Sequence, residues 1–79
     1  MLSSLATEIA SMKEQVRSDS LAFVRQERLW NQNIGSQVQY ENAQLKYDIG
    51  KRTLLRLEKN YEQTRIDLEG GYKRAKNAL

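Results

Sequence analysis

From Leu2 to Trp30 the apolar side chains recur in alternating steps of three and four residues: Leu2, Leu5, Ile9, Met12, Val16, Phe23, Trp30. Asp19 and Gln26 are the polar interruptions. This is the stripe of an α-helix that packs along one seam. Continued in the same register, its next positions are Gln37, Gln44, Lys51, Glu58 and Arg65. A run of polar residues at every second seam position is a poor core for one uninterrupted rod. A second stripe replaces it: Tyr40, Ala43, Tyr47, Gly50, Leu54, Leu57, Tyr61, Thr64, Leu68, Gly71, Ala75, Ala78. None of these is charged, and large residues often alternate with small ones, as close helix packing favours. The seam has therefore rotated between two halves of the chain, and a reversal of direction accounts for the rotation.

The joint reads Asn31-Gln-Asn-Ile-Gly-Ser36. Asn and Gly tolerate the left-handed backbone that ends helices, so Asn33 or Gly35 can serve as the stop. Ser36 fits the N-cap of a following helix, with Gln39 completing a Ser-x-x-Gln capping box. Helices joined by so short a connection are antiparallel neighbours. The fold expected is all-α, a long antiparallel two-helix coiled-coil hairpin over 1–79. Its first helix spans about 2–31, its bend about 31–36 and its second helix about 36–79. Folding there sets Trp30 against Gln37 or Val38, pinning the helices at the bend, and Leu2 against Ile66. Residues 67–79 then lack a partner within the chain, and the expectation is a fragment of a larger protein. Gly70 and Gly71 read as small seam residues rather than a hinge.

The rest of the composition agrees with helices and argues against catalysis. There is no proline, no cysteine and no histidine. Thiol chemistry and the usual zinc or copper ligand sets are thereby excluded, and no metal or cofactor is expected. The carboxylates are scattered over helical faces, and so short a chain leaves no room for a cleft to tune them. An enzyme is not expected. Tyr40, Tyr47, Tyr61 and Tyr72 are expected to pack in the core with their hydroxyls at its rim. Thirteen basic and ten acidic residues give a net charge of +3. Asp48 precedes Arg52, and Glu69 precedes Lys73, by one helical turn in the favourable order. A solvated, ion-paired face is expected rather than a nucleic-acid stripe. No apolar run approaches a membrane span, and the first residues lack the character of a signal peptide.

Leu21, Val24, Leu29, Ile34, Val38, Leu45 and Ile49 lie off both stripes, concentrated towards the bend. Such a cluster suggests lateral packing against another hairpin.

The stretch Arg25-Gln-Glu-Arg-Leu29-Trp-Asn-Gln-Asn-Ile-Gly-Ser36 carries Arg, Leu four residues on, and Ser seven further. This spacing resembles the tip motif of periplasmic membrane fusion (adaptor) proteins of the HlyD and AcrA type. The continuation Tyr40-Glu-Asn-Ala-Gln-Leu-Lys-Tyr47-Asp-Ile-Gly-Lys is similar to the second helix of that family's hairpin. The resemblance covers roughly 17–68 and excludes the lipoyl-like and β-barrel domains of a complete adaptor. It implies a periplasmic protein tethered to the inner membrane, bridging a transporter, through domains not in this chain, to a TolC-like outer-membrane channel. Neighbouring hairpins would assemble side by side. Arg25 would hydrogen-bond to the channel tip, Leu29 pack against it and Ser36 add a polar contact. The alternative is a structural coiled-coil dimerisation segment unrelated to transport.

Overall fold

The computed structural model describes residues 1–78, with side chains through Lys76. It consists of α1 (Leu2–Asn31) and α2 (Gln37–Ala78), folded back on each other into a body of 69 × 15 × 13 Å. The chain is an all-α antiparallel hairpin.

The bend is made by two local motifs in series. At the end of α1, Asn33 N–H donates to the Trp30 carbonyl at 3.0 Å and Ile34 N–H to the Leu29 carbonyl at 2.8 Å. That crossed pair is a Schellman motif, which uses carbonyls the helix end would otherwise leave unsatisfied. It needs a left-handed residue, and Asn33 supplies it at φ 58°. Gly35 follows at φ 92°, so both candidate stop residues take positive φ. Ser36 then caps α2: its Oγ accepts the Gln39 N–H at 3.3 Å while its carbonyl accepts the Tyr40 N–H at 3.0 Å. Asn33→Val is expected to cost about 1–2 kcal/mol, because a β-branched side chain clashes with the left-handed backbone. Asn33→Gly should be neutral or slightly stabilising. Urea unfolding of the two variants checks this pair.

Along the shaft the two stripes meet. Leu2, Leu5, Ile9, Met12, Val16 and Phe23 are half-buried against Tyr40, Ala43, Tyr47, Leu54, Leu57, Tyr61 and Thr64. Among the described residues, Gly50 and Asp19 are the buried ones, and no apolar side chain is fully withdrawn from water. Two helices alone cover only one face of each other, so the seam is a strip rather than a core.

Several expectations need correction. The Trp30 ring extends beyond the position set by backbone pairing and stacks on Tyr40, with centroids 6.0 Å apart. A large ring reaches along the helix to the next seam position, and Val38 stays exposed. Leu29 is half-buried rather than lying on the outer face. It sits under the bend, where a methyl on Gly35 would come 3.7 Å from its Cβ. The pairs Asp48–Arg52 and Glu69–Lys73 do not form. Asp48 pairs instead with Lys51 at 3.5 Å, and Glu69 with Arg65 at 2.7 Å. Exposed alternatives of this kind differ by only tenths of a kcal/mol. Tyr72 is 70% exposed rather than packed. It belongs to the last part of α2, beyond the reach of the shorter α1. There α2 runs as continuous helix through Gly70 and Gly71, with no hinge, and neither glycine has a packed neighbour within 4 Å of an added Cβ.

Candidate partner-binding tip

Residues 31–39 are all exposed, and the bend forms the end of an elongated body. Arg25 and Leu29, four apart near the end of α1, share one helical face. Arg25 is exposed and has no ion-pair partner among the described residues. Its guanidinium is free to present its fork of donors outward. Leu29 is held beneath the bend, leaving part of its side chain accessible. Ser36 spends one lone pair on the Gln39 amide. Its hydroxyl proton and second lone pair remain for another molecule. Ile34 and Val38 add exposed apolar surface on the two sides of Ser36. Arg25 and Leu29 thus lie on the last turns of α1 and Ser36 at the start of α2, all towards one end of the body.

The other off-seam residues form two outer stripes. Leu21 and Val24 are exposed on α1, and Leu45 and Ile49 on α2. Leu21 lies two residues past the seam position of Asp19, and Leu45 two before that of Tyr47, about 200° round each helix. The stripes therefore point in opposite directions, away from the seam. Leu55, also exposed on α2, was not singled out from the sequence. It lies about a third of a turn round α2 from Ile49, among Arg52, Arg56 and Lys59.

The shaft offers little else. An open groove between the helices is lined by Glu8, Ser11, Gln15, Thr53 and Arg56, with no enclosed wall. No His, Cys, Asp or Glu cluster suited to a metal ion occurs among the described residues. None of the described helices is long and apolar enough to cross a membrane. Farther along α2, Arg65 reaches both Glu62 and Glu69. The hydrogen bond from Arg65 holds the Glu62 carboxyl below its usual range, and Glu62 in turn raises the guanidinium. The trio lies open to water and is a local helix brace.

Comparison with known protein families, curated proteins and solved structures finds no match to this chain.

Proposed function

We propose that this chain is the α-hairpin of a periplasmic adaptor (membrane fusion) protein, belonging to a tripartite efflux or type I secretion system. In this reading the bend docks onto a TolC-like outer-membrane channel. The observation that carries it is the coincidence of the Arg25, Leu29 and Ser36 spacing with the reversal of the chain. Two of the three residues end α1 and the third caps α2. Arg25 binds carbonyls or carboxylates at the channel tip, Leu29 and Ile34 supply apolar contact, and Ser36 orients the approach. The outer stripes on α1 and α2 pack against neighbouring hairpins, α2 of one against α1 of the next. The inner-membrane transporter is engaged through other domains of the parent protein.

Arg25→Asp in the parent adaptor is the test. An interface arginine of this kind contributes about 2 kcal/mol or more, so channel binding should fall by roughly thirtyfold or more. Export should collapse with it. The helical circular dichroism of the hairpin should stay unchanged, because Arg25 makes no ion pair to lose. Unimpaired export would overturn the assignment.

The outer apolar stripes favour a second reading, a structural coiled-coil dimerisation segment unrelated to transport. In that case Ile49→Glu changes the assembly mass, whereas Arg25→Asp affects neither assembly nor export.

A further inference from the structure

Among the described residues, the one well-buried side chain is charged. Asp19 is 4% exposed and takes a seam position between Val16 and Phe23. Its Oδ1 accepts a hydrogen bond from Gln15 Nε2 at 3.0 Å and lies 3.5 Å from Lys46 Nζ. Its Oδ2 rests against the backbone of Gly50, where an added Cβ would stand 3.3 Å from that oxygen and 3.3 Å from Val16 Cγ2. Lys46 is itself 69% exposed, so its ammonium reaches in from the rim. Asp19 fits here because α2, running antiparallel, offers a residue without a side chain and, one turn away, a cation.

Stability does not explain the choice. Withdrawing a carboxylate from water is costly, and an apolar residue of similar volume at such a site is often neutral or better. What a buried polar group can supply is selection among arrangements. The first stripe, read alone, is a seam on which α1 of two copies could zip together in parallel and in register. In that arrangement Asp19 faces Asp19 of the other copy. Gln15 travels with it, but Lys46 and Gly50 are lost, and two like charges share a poorly hydrated position. We propose that Asp19 is an orientation selector: its charge forbids parallel self-pairing of α1 and commits the chain to the antiparallel hairpin.

Met12 occupies the same seam position one heptad earlier, and in the hairpin it lies beside Thr53 and Leu57 with its methyl end reaching towards Gly50. In a parallel pair two Met12 side chains would face each other. Met12→Cys therefore reports orientation through interchain disulfide formation, measured on the full 79-residue chain. With Asp19 present, oxidation to the symmetric dimer should be slow. Adding Asp19→Leu should accelerate it by about tenfold or more, with a product of twice the mass. Asp19→Asn keeps the shape without the charge and should shift the rate the same way. It also keeps the test open if the leucine variant loses its helical signal. Equal rates in all three backgrounds, within about twofold, would overturn the proposal.

Discussion

Phe23→Ala should lower the stability of this hairpin by about 2–3 kcal/mol. The ring sits in the middle of the seam near the bend, 5.8 Å from the Tyr40 ring and 5.9 Å from that of Tyr47. Tyr40 in turn stacks on Trp30, and Lys51 Nζ lies 4.2 Å over Tyr47. Four rings from two helices thus form one ladder, and Phe23 joins its halves. Truncating a fully buried Phe costs about 3–5 kcal/mol, and half-exposure reduces that figure. Each lost ring pair adds about 0.5–1.5 kcal/mol beyond area burial. A chain this small holds only a few kcal/mol in total, so the loss is most of its margin. The melting temperature read by circular dichroism should fall by roughly 10–20 °C. Phe23→Leu, which refills most of the space, should lose less than half as much. A melting point for Phe23→Ala within about 3 °C of the parent would show that the ladder is not what holds the helices together.

Much of this ladder could be read in the sequence, because Phe23, Trp30, Tyr40 and Tyr47 fall on the two stripes. The same periodicity gave the helix limits and the reversal between them. Ser36 with Gln39 marked the start of α2 through a capping pattern whose geometry is local. What escaped was whatever depends on contact across the seam. Asp19 looked like a simple polar interruption. Its burial depends on Gly50 and Lys46, distant in sequence, and only a registered pairing brings them opposite. The stack of Trp30 on Tyr40 is not given by position, because pairing by position locates backbones, whereas a long ring reaches the next turn. The surface ion pairs were misread for the opposite reason: several partners one turn away are nearly equal in energy, so spacing alone does not choose. The tip motif is legible as a pattern. Its use by a partner is a matter of chemistry outside the chain.

The glycines of α2 make the cross-seam point quantitatively, because their substitutions should differ in sign. Gly within a helix costs about 0.5–1 kcal/mol relative to Ala. At Gly70 a Cβ meets nothing within 4 Å, so Gly70→Ala should recover most of that amount. Gly50 has the same helical geometry and the opposite surroundings. A Cβ there already presses on Asp19 Oδ2 and Val16 Cγ2, and a leucine would have to displace both. Overpacking of this kind costs about 1–3 kcal/mol, more than the helical preference of leucine returns. Gly50→Leu should also push α1 and α2 apart and open Asp19 to water without its Lys46 partner. Urea unfolding is therefore expected to show a lower midpoint for Gly50→Leu and a higher one for Gly70→Ala. If both substitutions raise the midpoint, α2 gains only from helix propensity at Gly50, and the close approach of the two helices there contributes nothing to holding the hairpin closed.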